Sequence, residues 1–231
     1  MKRIGILGGS SDQATAEYYR RLNQEVNRRL GGWNTAELLI SSMNFALAED
    51  WVRREDWNAA AQYLTGRARA LEGAGAELLL CVSNTLHRVA DDFTAPLRIP
   101  FLHIVDPTAT AIRAAGFTRV GLLGTKPVMA TDYLKRRYAE RFGVEVLVPP
   151  AVDQDAVDRI IFDELCRGRF LPESKARYLA VVDELMARGA CGVILGCTEI
   201  PLLIGQPDRP DVPMFDTVEL HVAEAVSRAL G

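Results

Sequence analysis

The chain has 231 residues, of which 48% are hydrophobic and 25% charged, and its formal net charge is −3. This length allows one large domain or two small ones, and the absence of a basic excess argues against binding to nucleic acid or to a membrane surface. No run approaches the roughly 20 apolar residues of a membrane helix, and the N-terminal run is too short for a signal peptide. The four cysteines lack metal-ligand spacing, so we expect a cytoplasmic protein without disulfides or a metal.

Short apolar runs alternate with segments of helical periodicity, which is the pattern of a parallel α/β sheet. The predicted buried strands are 3–7, 77–82, 119–123 and 192–195, and the weaker candidates are 37–43, 101–104 and 145–148. Because the four main runs are apolar throughout, we expect helices to cover both faces of the sheet.

Three segments show the apolar spacing of an amphipathic helix and stop near a glycine. Apolar residues recur every four positions in 18–30 and end at Gly31, and similar segments precede Gly73 and Gly189. The charged stretch 44–56 has no clean period, and we predict that it is a loop or mobile lid beside a site.

The two halves of the chain are similar to each other. Residues 5–9 resemble 121–125, and residues 82–85 resemble 196–199 at nearly the same separation, although one such similarity can arise by chance. We therefore predict two similar α/β domains, each with a mainly parallel sheet flanked by helices and related by pseudo-two-fold symmetry, with the active site between them. The predicted first domain is 1–98 plus 209–231 and the second is 99–208. The motifs follow strand ends, where open parallel sheets bind ligands.

Four motifs carry a resemblance to a known family. GGSS at 8–11, SNTLH at 83–87, LLGT at 122–125 and LGCTEIP at 195–201 are similar in order and spacing to those of the cofactor-independent aspartate/glutamate racemases. The resemblance implies an isomerase of amino-acid metabolism that needs no pyridoxal phosphate, metal or nucleotide. It also implies a small-molecule substrate and a homodimer. In that family one thiolate removes the Cα proton, and a second thiol protonates the opposite face.

Cys197 is the predicted acid/base thiol. It follows an apolar strand and precedes a predicted helix start at 198–201, where the helix dipole favours a thiolate. The alternative is an inert buried cysteine. The side chains expected to hold the substrate carboxylate are those of Ser10, Asn84, Thr85, Thr125 and Thr198. Helix capping is the alternative role for the threonines.

Ser83 stands where the family has its first catalytic cysteine. A serine hydroxyl is too weak an acid to form an alkoxide at neutral pH, so we expect Ser83 to deliver or relay a proton. His87 and Glu199 are the predicted supporting residues, although His87 can equally cap or pack the helix. Cys81, two residues before Ser83, is predicted to fill the core.

The substrate prediction rests on the loop after the second strand. Family members that bind aspartate commonly hold its distal carboxylate there with a basic residue or a glutamine, but the matching residues here are Ala48 and Val52. Arg53 is the candidate replacement, and aspartate or glutamate is the leading substrate. Two alternatives stay open. One is a one-thiol relative, either a malonate-type decarboxylase or a dicarboxylate cis–trans isomerase, and the other is a degenerate carboxylate-binding protein.

Overall fold

A computed structural model describes residues 1–231, which form two compact units. The first contains residues 1–104 and 221–231, and the second contains residues 105–220. Both boundaries lie later in the chain than the predicted ones after residues 98 and 208. None of the helices combines the length and the apolar character required to cross a bilayer.

The first unit is built on three parallel strands. In chain order it contains β1 (Ile4–Gly8), α1 (Asp12–Leu30), β2 (Leu38–Ser42), α2 (Phe45–Arg54), α3 (Trp57–Gly73), β3 (Leu78–Cys81), a 3-10 helix (Thr85–Val89) and α4 (Ala90–Thr94). The strand order is β2–β1–β3, and the central strand β1 is buried along its whole length. Helix α1 ends at Leu30 and is capped by Gly31, the predicted glycine stop.

The predicted loop or lid at 44–56 is wrong, because this stretch forms helix α2. Asn44 caps the helix with its side chain, and the inner face buries only Ala48 and Trp51. The outer face carries two i,i+4 ion pairs, Glu49–Arg53 and Asp50–Arg54. The charges that hid the helical period in the sequence therefore belong to the solvent-facing side of an amphipathic helix.

The predicted strand at 101–104 is wrong in extent. Only one bridge forms, between Phe101 and Leu79 of β3. The Leu79 N–H donates to the Pro100 carbonyl at 2.9 Å, and the Leu102 N–H donates to the Leu79 carbonyl at 3.0 Å. An extended segment thus runs parallel to the outer side of β3 and leads to Ile104, after which the chain enters the second unit.

The second unit contains a parallel sheet of four strands. Its elements are α5 (Val105–Ala114), β4 (Arg119–Leu123), α6 (Lys126–Ala130), α7 (Tyr133–Phe142), β5 (Glu145–Leu147), α8 (Ala151–Asp163), α9 (Pro172–Ala187), β6 (Val193–Leu195) and β7 (Met214–Asp216), with 3-10 helices at Leu165–Arg167, Ile200–Leu202 and Gln206–Asp208. The last helix, α10 (Thr217–Leu230), begins in this unit and ends in the first. The strand order is β5–β4–β6–β7.

Apolar side chains pack on both faces of this second sheet. Val193 and Leu195 of β6 pack in the core that includes α8 and α9, whereas Ile194 packs in the core that includes α5 and α7. This alternation follows from the two-residue period of a strand, and it requires helices on both faces. The predicted α/β fold with parallel sheets flanked by helices is confirmed.

Candidate functional site

In the first unit, the motifs that follow β1 and β3 lie at the same edge of the sheet. The two strands are parallel neighbours with Leu7 paired to Cys81, so their carboxyl ends meet. Gly9 adopts φ +85°, and a Cβ there would lie 2.2 Å from the Met43 carbonyl oxygen. Only glycine fits this turn, which carries Ser10 to the edge where Ser83 lies.

Ser83 is half-buried, and its hydroxyl accepts a hydrogen bond from the Leu86 N–H at 3.4 Å. Since the contact uses an oxygen lone pair, the Ser83 O–H can still donate its own proton. Asn84 is buried and Thr85 is half-buried beside it. Cys81 is fully buried, and burial raises the pKa of its thiol to about 12. This inert state agrees with the prediction that Cys81 fills the core.

In the second unit, a close backbone approach sets the motifs after β4 and β6 side by side. The Gly196 N–H donates to the Leu123 carbonyl at 2.6 Å. A Cβ on Gly196 would lie 2.6 Å from the Leu122 side chain and 2.8 Å from the Leu123 carbonyl oxygen. Glycine is therefore required here, and it places Thr125 and Cys197 at the same edge of the sheet.

Cys197 lies in a buried polar cluster with the two residues that follow it. Its thiol donates to Glu199 Oε2 at 3.0 Å, and the Thr198 hydroxyl donates to the same oxygen at 2.6 Å. Cys197 is 7% exposed and Glu199 is 3% exposed. Burial raises the pKa of Cys197 well above its ordinary value, and the negative charge of Glu199 raises it further. The resting thiol is therefore protonated.

The prediction that a helix dipole holds Cys197 as a thiolate is wrong. The expected helix at 198–201 is only a three-residue 3-10 helix at Ile200–Leu202, and the group in contact with the sulfur is a carboxylate. To become a thiolate, Cys197 must give its proton to another group. The Glu199 carboxylate already accepts a hydrogen bond from that proton. The geometry thus supplies a proton acceptor for the thiol instead of a stabilising positive dipole.

Replacing Glu199 with glutamine should speed alkylation of Cys197 severalfold at pH 8. Burial is the main cause of the raised pKa of the thiol, and the amide removes the negative charge that adds to it, so the thiolate fraction at pH 8 increases. We would follow iodoacetamide modification of native protein by mass spectrometry of the Cys197 peptide. The exposed Cys191 is the internal control, since its rate should not change. An unchanged or slower rate at Cys197 would show that the Glu199 charge does not govern the thiol.

The Arg53 side chain does not point toward a buried site. Its side chain is 77% exposed and forms an ion pair with Glu49 on the outer face of α2. Ala48 is buried on the inner face of the same helix. The positive charge expected for a distal carboxylate therefore faces solvent.

The unpredicted strand β7 adds polar residues near Cys197. Asp216 pairs in register with Leu195 of β6, and the Thr217 hydroxyl donates to the Leu195 carbonyl at 2.9 Å. A three-residue strand gives no readable apolar pattern. The sequence feature that could have indicated these residues is the Asp216-Thr217 pair at the start of the last amphipathic helix. There, Asp216 Oδ1 accepts a hydrogen bond from the Val218 N–H at 2.8 Å, as the side chain of a helix cap does.

Comparison with known proteins gives a family for this arrangement. A family model described as Asp/Glu/Hydantoin racemase matches residues 4–225. The chain belongs to the Asp/Glu/hydantoin racemase family. The family resemblance predicted from the sequence motifs is therefore confirmed, and the match covers nearly the whole chain.

Solved structures and a curated relative agree with the family. A crystal structure of a putative Asp/Glu racemase from Yersinia pestis is 42% identical, with 100% of both chains covered and a TM-score of 0.92. An aspartate racemase homologue from Pyrococcus horikoshii OT3 is 36% identical, with the same coverage and a TM-score of 0.85. A glutamate racemase from Koribacter versatilis is 28% identical over 185 residues, which are 75% of this racemase-family chain and 60% of the relative. The chain thus spans about three fifths of that relative.

Proposed function

We propose that the protein is a cofactor-independent racemase of an acidic amino acid, aspartate or glutamate, with Cys197 and Ser83 as its two proton-transfer residues. Family membership over residues 4–225 supports racemisation. The observation that carries the proposal is the 3.0 Å contact between the Cys197 thiol and the buried Glu199 carboxylate. It joins a potential Cα base to a group that can take its proton.

In the first step of the proposed reaction, the thiol proton passes to Glu199, and the Cys197 thiolate removes the Cα proton of one enantiomer. The electron pair left on Cα delocalises into the substrate carboxylate, where negative charge builds. We assign the binding of that carboxylate to the polar groups at the strand ends, namely Ser10, Asn84, Thr85, Thr125 and Thr198, together with the backbone N–H groups beside them; the Thr198 hydroxyl itself already donates to Glu199. Donors fixed in advance stabilise the developing charge without reorganisation.

In the second step, the Ser83 hydroxyl protonates Cα from the opposite face. The Leu86 N–H, which already bonds to the Ser83 oxygen, supports the negative charge that grows there. Solvent then returns a proton to the alkoxide, and Glu199 releases to solvent the proton that it took from the thiol, which restores the resting state. Proton transfer through Ser83 is slower than through Cys197, because an alkoxide is a high-energy species at neutral pH. Exchange of the Cα proton without inversion should therefore outpace inversion.

The test is to incubate both enantiomers of aspartate and of glutamate with the protein in D₂O. Proton NMR follows loss of the Cα signal, and chiral chromatography follows inversion. We expect exchange from at least one enantiomer, with slower inversion, and the same behaviour from the Cys191→Ala variant, which changes an exposed cysteine outside the site.

Three results would contradict the proposal at different levels. Exchange of a neutral amino acid such as alanine, but not of the acidic ones, would overturn the acidic specificity and leave racemisation intact. A ligand-induced thermal shift without any exchange would indicate a carboxylate-binding protein. Release of carbon dioxide from a substituted malonate without exchange would indicate a decarboxylase.

A further inference from the structure

All three histidines of the chain meet in one buried cluster of the first unit. The ring centroids of His87 and His103 are 4.5 Å apart, and those of His87 and His221 are 6.3 Å apart. The proposed reaction steps use none of them as a proton carrier. One of them, however, is bonded directly to the backbone of Ser83.

The hydrogen-bond partners of His87 assign its tautomer. The Ile104 N–H donates to Nε2 at 3.1 Å, and Nδ1 lies 2.7 Å from the Ser83 carbonyl oxygen. A backbone N–H can only donate, so Nε2 carries the lone pair and the ring proton is on Nδ1. His87 is therefore neutral and donates to Ser83, because a second ring proton would point at the Ile104 N–H.

His87 joins the ends of two adjacent extended segments. Ser83 lies two residues beyond β3, and Ile104 ends the segment that runs parallel to the outer side of β3. The imidazole is 3% exposed and starts from the 3-10 helix that follows Ser83. A rigid ring with one donor and one acceptor thus holds the backbone that carries the Ser83 hydroxyl.

We propose that His87 is the positioning residue of Ser83. Its Nδ1–H fixes the Ser83 carbonyl and so holds the hydroxyl in the direction from which it protonates Cα. The inference rests on the proposed function, because it assigns His87 an effect on inversion through Ser83. It does not assign His87 a contact with substrate.

Two substitutions separate the two bonds of the ring. His87→Asn places an amide donor near the position of Nδ1 and loses the acceptor for Ile104. His87→Gln places an amide near the position of Nε2 and loses the donor to Ser83. His221→Gln is a matched control in the same cluster. The ring nitrogens of His221 bond to Tyr18 and to the Leu102 carbonyl, so neither of these bonds holds the backbone of Ser83.

The readout is the ratio of inversion to Cα exchange in D₂O, which does not depend on the fraction of folded protein. We expect His87→Gln to lower this ratio about five- to tenfold, the equivalent of one buried hydrogen bond. His87→Asn should keep the ratio within about twofold, and His221→Gln should leave it unchanged even if it lowers both rates. In a Ser83→Ala background, His87→Gln should have no further effect.

The proposal is overturned if His87→Gln and His87→Asn lower exchange and inversion by the same factor, because this is the result of a purely structural role. It is also overturned if the ratio falls equally with and without Ser83. A tautomer measurement that needs no activity accompanies these assays. In ¹⁵N NMR at pH 7, His87 should show the Nδ1–H form and His221 the Nε2–H form, as their partners dictate. Absence of exchange with these tautomers present would reject the racemase proposal alone, whereas an Nε2–H form of His87 would reject the positioning role.

Discussion

Replacing Cys197 with alanine should reduce inversion of both enantiomers, and Cα exchange of the enantiomer that Cys197 deprotonates, by about a hundredfold or more, since a positioned acid/base group contributes about 10²–10⁴ in rate. Inversion in either direction includes a proton transfer at this sulfur, so inversion should be lost for both enantiomers. The measurement is the D₂O exchange assay, with Cys191→Ala as the control. For the enantiomer that Cys197 deprotonates, residual exchange above about a tenth of the parent rate would show that another group is the base.

The pH dependence of the same variant gives a second check. The folded-state pKa of Cys197 lies well above its unfolded value, so its contribution to stability is complete below about pH 9 and is lost as pH rises through the folded pKa. Urea unfolding between pH 7 and 10 should therefore show a smaller alkaline loss of stability for Cys197→Ala than for the parent. An equal alkaline loss of stability in the two proteins would contradict a protonated resting thiol.

Replacing Ser83 with alanine should lower inversion by about 10²–10⁴ while exchange continues from the enantiomer that Cys197 deprotonates. The thiol is untouched on its own face, whereas the opposite face has lost its proton donor. Ser83→Cys should act in the other direction and raise inversion above the parent, because a thiol transfers protons more readily at neutral pH.

Chiral chromatography and NMR on one sample give both rates for each Ser83 variant. Thr85→Val is not a suitable control, because Thr85 is assigned to substrate binding; Thr110→Ala, on the exposed face of α5, serves instead. Equal losses of exchange and inversion in Ser83→Ala would mean that Ser83 supports the fold of the site and not the second proton transfer.

Strands and long helices were readable from the sequence because burial on both faces leaves continuous apolar runs and burial on one face leaves a period. Helix α2 was missed because its inner face is small, with Ala48 and Trp51, and its outer face is dominated by paired charges. Strand β7 was missed because three residues cannot show a period. These failures follow from short or narrow contact surfaces.

The positions of the candidate site were readable, but their chemical states were not. Motif spacing placed Cys197 and Ser83 after strand ends. The protonation of Cys197, in contrast, depends on the burial of its thiol and on the contact of the Glu199 side chain with the sulfur, which no helix rule describes. The tautomer of His87 depends on Ile104, a residue distant in sequence. Both properties arise from individual contacts made only in the folded chain.

Helix α10 imposes an order on biosynthesis. Its residues from His221 onward complete the core of the first unit, where the fully buried His221 bonds to Tyr18 and Val226 is also fully buried. The second unit, in contrast, is one uninterrupted stretch of chain. During synthesis, all residues of the second unit are therefore made before the last residues of the first unit, 221–231. The first unit is begun first and completed last. A ribosome-bound chain that ends near residue 220 therefore still lacks the helical segment that completes the core of the first unit.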